Sequence, residues 1–303
     1  MCRHGVWQGI MVHRWTRAVL SGAILLAILV DLAEGRSPWK LSLPGGDLQL
    51  QANNYDCDLC AENWLLVLSP SRGTASTTAL SMFKSIPGFE LIGEHSGVLH
   101  AEARIFELLG EAANAAKESI AWGGNGYNKT ALLCNVQHFM KALVLGGEYN
   151  VLSPSTRVLG VKEVNYNSLK MLSFIAAAFP CARFIFTVQH QNNDADDSPT
   201  SQLFHKVASQ FPSTAMLLPR DALSLDKYNG VLRGLGVKGC AFNKMLHEHV
   251  NGANYHEPAS GVLDRECDLT EVDFRLSQAQ LEQNRKLWSQ LSVQLGQPAF
   301  KFF

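Results

Sequence analysis

Between Ser69 and Thr78 the chain reads Ser69-Pro70-Ser71-Arg72-Gly73-Thr74-Ala75-Ser76-Thr77-Thr78, a stretch of hydroxyl and small residues with one arginine and one glycine. Residues of these types bind anions when the stretch runs from a strand into a helix. The first amides of a helix have no internal partner, and the helix dipole favours negative charge at that end. Small side chains at Gly73, Thr74 and Ala75 let a phosphate reach the backbone, and Ser76, Thr77 and Thr78 add hydroxyl donors. The stretch lacks the lysine of G-x-x-x-x-G-K-[ST], which disfavours a nucleoside-triphosphate-dependent kinase. A Ser/Thr-rich turn that only caps a helix is the plain structural alternative.

The flanking residues supply the strand and the helix. Trp64 to Leu68 is an uninterrupted apolar run bounded by turn residues, as in a strand buried on both faces of a parallel sheet. Leu80, Met82 and Phe83 mark an amphipathic helix after the loop. Beyond them strand and helix patterns alternate. Phe89 to Gly93, Thr156 to Val161, Arg183 to Val188 and Thr214 to Leu218 read as strands. Ala101 to Lys117 (with Ile105, Leu108 and Leu109 on one face), Ala131 to Leu145, Tyr166 to Phe179, Gln202 to Gln210, Ala222 to Leu235 and Ser277 to Leu295 read as helices. This alternation predicts an α/β fold, a P-loop-like three-layer domain over residues 63–303 with a central parallel sheet flanked by helices.

In such a sheet, ligands sit at the carboxyl ends of the strands. Chemistry-bearing residues fall there three times: Gly93-Glu94-His95-Ser96-Gly97, Lys162-Glu163 and Gln189-His190. Any one of them alone reads as a solvated strand end. Together they converge on the anion loop.

The rest of the chain sets the compartment. At 303 residues and a formal net charge of -1 there is no basic excess of the kind that marks a nucleic-acid protein. Arg3, His4, His13, Arg14 and Arg17 precede an uncharged, mostly apolar core from Ala18 to Val30, which Asp31, Glu34 and Arg36 close. That core suits a signal peptide, with a cleavage site near Ala33-Glu34-Gly35, or an uncleaved signal anchor over residues 1–35, and a buried helix of the folded domain is the plain alternative to these two targeting readings. Either targeting reading sends the remainder to the secretory lumen, by way of a short stem over residues 36–62. Apart from Cys2, the cysteines are Cys57, Cys60, Cys134, Cys181, Cys240 and Cys267. Cys57-Asp58-Leu59-Cys60 is open to three readings: a redox pair, half a zinc site, or structural disulfides. The third is favoured because the motif precedes the first strand and no second C-x-x-C exists. Asn128-Lys129-Thr130 is a glycosylation sequon.

The loop resembles that of the sulfotransferases, roughly R-S-G-[ST]-[ST]-x-L, which holds the 5′-phosphosulfate of 3′-phosphoadenosine 5′-phosphosulfate. With Ser76-Thr77 on the hydroxyl pair, Gly73 stands where the family has arginine and Arg72 lies one residue early. Three further stretches are similar to the membrane-associated and Golgi members: FELIGEHSGVL, VLGVKEVNYNSLKMLSFIAAAFPCARFIFTV, and LRGLG from Leu232 to Gly236. The likeness spans Asn63 to about Tyr255 in loose motifs whose order and spacing are kept. It implies in-line transfer of a sulfuryl group to an acceptor hydroxyl, of a glycan first and a protein tyrosine second, with no metal. Glu94 is then the general base, with His95 and His100 in reserve. Lys162 answers the charge growing on the leaving oxygen, assisted by Arg72 and the amides of Gly73 to Thr78. The family expects an arginine after the fourth strand and a serine about eight residues on, for the 3′-phosphate. Gln189 and His190 occupy the first place and Ser198 the second, with Asp194, Asp196 and Asp197 between. That departure keeps open an alternative, a lumenal binding protein of the same fold that has lost transfer.

The location is testable without knowing the activity. Expressed in eukaryotic cells, the chain is expected to enter the secretory pathway, as a Golgi single-pass protein or secreted, and to shift in mobility when a glycosidase removes a glycan from Asn128. A cytosolic, unglycosylated product would remove the lumenal assignment.

Overall fold

Trp64–Ser69 forms strand β1, and all of its residues are buried. The computed structural model describes residues 57–71, 73–94, 97–116, 128–146, 153–166, 168–189, 199–246 and 261–297, within a unit spanning Tyr55–Phe303. The expected targeting segment and most of the expected stem lie outside the described residues. Among those described, no helix is long and apolar enough to cross a membrane.

Four more strands follow: β2 (Phe89–Ile92), β3 (Val158–Val164), β4 (Arg183–Val188) and β5 (Ala215–Pro219). They join β1 in one five-stranded sheet of order β2-β3-β1-β4-β5, every pairing parallel. The helices among the described residues are α1 (Ser76–Lys84), α2 (Val98–Ala116), α3 (Lys129–Leu145), α4 (Leu169–Ala178), α5 (Pro199–Gln210), α6 (Leu225–Gly234) and α7 (Gln278–Leu295). The chain is therefore a three-layer α/β fold, as its alternating pattern predicts.

Strand alternation sorts the layers. Trp64, Leu66 and Leu68 point to a core closed by α2, α3, α4, α5 and α7. Leu65 and Val67 point the other way, to a core closed by α1, α6 and residues 237–246 and 261–274. Because both faces are covered, β1, β3 and β4 carry near-continuous apolar runs. Trp64 meets the Phe179 ring edge-on at 5.0 Å, and Phe211 stacks on Trp288 at 4.8 Å, which docks α7.

Boundaries differ from the sequence reading in instructive ways. Strand β3 is not closed by Lys162 and Glu163 but runs through them, pairing Val67 with Lys162 and Leu68 with Glu163. Being central, it keeps its ladder to the end of β1 whatever side chains it bears. The buried face of α2 is Leu99, Ala103 and Phe106, whereas Ile105 and Leu108 are each 49% exposed. The helix was legible there, but the apolar face expected from the sequence, with Ile105 and Leu108, is not the buried one. Helices α4, α6 and α7 start at Leu169, Leu225 and Gln278, because Ser168, Ser224 and Ser277 each accept a bond from the backbone amide three residues on.

Both cysteines of the C-x-x-C are in disulfides with different partners, Cys57–Cys134 and Cys60–Cys181, and Cys240 pairs with Cys267. This excludes the redox-pair and zinc readings for the motif as it stands in this structure. The lead-in over residues 57–62 is thereby fastened to α3 and to the turn before β4. Gln137 adds to that by donating to the carbonyls of Leu59 at 2.8 Å and Ala178 at 2.7 Å. Asn63 pins the far end of the chain. Its amide donates to the carbonyls of Arg157 and Val272, and its side-chain oxygen accepts from the Phe274 amide at 2.9 Å. Asn128 is exposed and caps α3, accepting from the Ala131 amide at 3.1 Å.

Gly160 sits mid-sheet, between Leu65 and Leu91. A Cβ there would lie 2.4 Å from the Leu65 carbonyl oxygen and 3.1 Å from the Leu91 side chain. Gly160→Ala is expected to cost about 1–3 kcal/mol or more, since the clash is with backbone in a packed sheet. Urea denaturation checks this, and an unchanged midpoint would show that the sheet yields there at no cost.

Candidate functional site

The anion loop leaves β1 at Ser69 and enters α1 at Ser76, at the sheet's carboxyl edge. Two of its residues hold left-handed backbone conformations: Gly73 at φ +83° and Ala75 at φ +62°. Glycine adopts this freely, but alanine does so at a cost of about 1–2 kcal/mol. Strain of this kind persists only where the surroundings impose it, and it clusters at ligand sites. Ala75 occupies the N-cap position of α1 and no side chain caps the helix. The first turn of α1 also carries no acidic residue. The start of α1 is thus positive in potential and unscreened by a carboxylate of its own.

Hydroxyls buried beneath the loop hold its shape. Ser69 Oγ donates to the Ser71 carbonyl and lies 2.6 Å from Thr74 Oγ1, which lies 3.0 Å from Thr187 Oγ1 on β4. Ser69 has used its single proton, so Thr74 donates to Ser69 and Thr187 donates to Thr74. All of these hydroxyls are 0–1% exposed, and each is satisfied. Ser76 is buried at 5%, while Thr77 and Thr78 are half-buried.

On one side of the loop stand the ends of β3 and β2. Lys162 leaves β3 on the face that bears α1, and its ammonium forms an ion pair with Glu94, just past β2. The two side chains are 6% and 38% exposed, so the lysine is sheltered and the carboxylate reaches solvent. Lys162 retains two of its three donors beyond this bond, and Glu94 retains its second oxygen. Behind them, on the opposite face of β3, Glu163 is buried at 2%. Asn165 turns the chain at φ +67°, and the Tyr166 amide donates to the Ser69 carbonyl at 3.2 Å. Burial first, and the Glu163 charge second, push the Tyr166 phenol far above its usual range. The Tyr166 ring rests 4.6 Å from that of His100. Burial lowers the His100 pKa, so this imidazole is neutral at pH 7 and able to accept a proton.

On the other side of the loop stand the ends of β4 and β5. Gln189 follows β4 directly. Arg220 follows β5 in a 3-10 turn (Arg220–Ala222) and donates from Nη1 to the Gly73 carbonyl at 2.9 Å. A Cβ on Gly73 would lie 3.9 Å from Arg220 Nη1 and 4.0 Å from Gln189 Nε2. The amide and the guanidinium therefore flank the same loop residue.

The structure thus brings Gly73, Thr74, Ala75, Ser76, Thr77, Thr78, Glu94, Lys162 and Gln189 to one edge of the sheet. Arg72, His95, His190 and Ser198 lie outside the described residues. Sequence reasoning missed Arg220 and Thr187. The signal for Arg220 was present, since it lies two residues after the strand pattern Thr214 to Leu218. Thr187 gave none, because it sits inside an apolar run. Among the described residues no group of three or more His, Cys, Asp or Glu is placed to hold a metal ion.

No known family model matches the chain, and no curated protein does. Among solved structures, an unliganded sugar kinase from Janibacter sp. HTCC2649 aligns at 12% identity over 58% of this chain and 95% of its own, with a TM-score of 0.28. At that similarity it carries no argument about this chain.

The strain at Ala75 has a measurable consequence. Ala75→Gly removes the left-handed penalty of about 1–2 kcal/mol and adds about 0.5–1 kcal/mol of unfolded-state entropy. A net gain of up to about 1.5 kcal/mol is expected in chemical denaturation. A clear loss of stability would show that the alanine methyl contributes packing that outweighs the backbone strain.

Proposed function

We propose that the chain is a sulfotransferase that moves a sulfuryl group from 3′-phosphoadenosine 5′-phosphosulfate to an acceptor hydroxyl, of a glycan first and a protein tyrosine second. One observation carries this reading. The uncapped start of α1, preceded by left-handed Gly73 and Ala75, shares one edge of a parallel sheet with the Lys162–Glu94 pair. Ala75 also takes a glycine's backbone conformation at the position where the resembling loop pattern has its glycine.

The residues fit the donor by charge and space. The small loop and the amides of Gly73 to Thr78 suit the 5′-phosphosulfate, and half-buried Thr77 and Thr78 add hydroxyl donors there. Arg72 is assigned to the same group from the sequence. In the transfer the acceptor oxygen bonds to sulfur, and the bond from sulfur to the bridging phosphate oxygen breaks. The acceptor's proton passes to the Glu94 carboxylate, and adenosine 3′,5′-bisphosphate leaves. Lys162, sheltered and with donors to spare, opposes the charge that builds on the bridging oxygen. Its bond to Glu94 also aims that carboxylate, as a general base requires. His95 and neutral His100 are the reserve bases, the first by sequence position alone. No step requires a metal. Lumenal location, with the N-terminal segment as leader or membrane anchor, belongs to the same proposal.

A second reading, a binding protein of this fold without transfer, is favoured by Gln189. It stands where a 3′-phosphate calls for charge and brings none.

Two measurements separate the readings. Adenosine 3′,5′-bisphosphate is expected to raise the thermal unfolding midpoint, because a ligand of the native state alone must stabilise it. Radiolabelled donor offered to a panel of glycans and tyrosine peptides is expected to label one class. Glu94→Gln should then lower kcat by about 10²–10⁴-fold and Lys162→Ala should lower it too, with bisphosphate affinity little changed. Both variants retaining most of the wild-type rate would overturn the site. A wild type that binds the bisphosphate yet labels nothing would favour the second reading.

A further inference from the structure

The site has one cation that the sulfotransferase reading does not use. Arg220 is exposed at the end of β5, and among the described residues no carboxylate pairs with it. One of its five N–H donors is bound to the Gly73 carbonyl. A guanidinium held at one corner is oriented, and its other donors remain open. Beside the same residue, Gly73, lies the Gln189 amide, uncharged.

The strand order makes this placement significant. Lys162 and Glu94 belong to the β3 and β2 ends, on one flank of the loop, and Gln189 and Arg220 belong to the β4 and β5 ends, on the other. A nucleotide whose 5′ group sits on the loop with its sulfuryl end toward Lys162 must extend its remaining charge toward the opposite flank. Among the described residues, that flank has no cation after β4 and one, Arg220, after β5.

We infer that Arg220 binds the 3′-phosphate of the nucleotide, supplying from β5 the positive charge that Gln189 does not supply from β4. This inference rests on the nucleotide reading proposed above. Gln189 contributes a neutral donor to the same phosphate, and the Gly73 carbonyl serves as the clamp that aims the guanidinium. Arg suits this role better than Lys, because its planar fork engages a phosphate with two bonds while a third holds the loop.

The test compares two nucleotides that differ in one phosphate. Calorimetry on the full chain measures the affinities of adenosine 3′,5′-bisphosphate and adenosine 5′-monophosphate. In the wild type the bisphosphate should bind more tightly. Arg220→Gln should weaken the bisphosphate by about 10–100-fold while changing the monophosphate by less than about 3-fold, since a charge-assisted bond to one group is lost. Adding Gln189→Arg to Arg220→Gln should restore most of the difference. Arg220→Lys should fall between. Arg220 is exposed, and the unfolding midpoints of the free variants check that the fold survives. Equal losses for both nucleotides would mean that Arg220 only braces the loop, and the inference would fall while the nucleotide reading stood. Unchanged affinities would overturn it likewise. A wild type that binds neither nucleotide would overturn the nucleotide reading itself, and the inference with it.

Discussion

Strand β1 has neighbours on both edges and helices on both faces, and no part of it meets water. Every feature of the candidate site descends from that confinement. Strand β1 is apolar until its last residue, Ser69, and its chain becomes polar where it leaves the sheet. The polar stretch is therefore forced to the carboxyl edge, between the ends of β3 and β4. Its buried hydroxyls then find partners within the edge itself: Thr74 on Ser69, and Thr187 of the adjoining strand on Thr74. An unsatisfied hydroxyl in this position would cost about 1–3 kcal/mol, so the loop's course is tied to the sheet beneath it.

The same confinement separates two kinds of charge. The order β2-β3-β1-β4-β5 places the Lys162–Glu94 pair on one flank of the loop and Arg220 on the other. A carboxylate and a sheltered ammonium on one side suit proton acceptance and opposition to developing charge. A guanidinium and an amide on the other suit a fixed anion. The loop between them is strained at Ala75 and braced at the Gly73 carbonyl, so it is held rather than adaptable.

Around this edge the remainder of the fold is fastened at long range. Disulfides Cys57–Cys134 and Cys60–Cys181 bind the lead-in to α3 and to the start of β4, and Asn63 holds the segment from Val272 to Phe274. Arg183, at the start of β4, lays its guanidinium over the Phe274 ring at 5.0 Å. These links lie toward the amino edge of the sheet. The opposite edge is thus left to loops and helix starts, where a ligand is reached most readily.

Much of the fold was legible in the chain, because burial on both faces writes itself as apolar runs such as WLLVL and FIF, and helices as spaced Leu, Met and Phe. The placement of the loop was legible too, since small and hydroxyl residues between an apolar run and an amphipathic pattern mark the turn from a strand into a helix. Residues at strand ends, Glu94, Lys162 and Gln189, followed from the rule that parallel strands share one functional edge. What the chain could not state is which strand lies beside which. Pairing in a parallel sheet is decided by crossovers and packing over long separations, so the two flanks of the loop, and Arg220 as the partner of Gly73 across 147 positions, exist only in the folded chain. The disulfide pairs and the rotation of α2 that leaves Ile105 and Leu108 outside belong to the same class. Local physics determines the elements and the kinds of chemistry they carry, and long-range packing alone decides which of those groups meet.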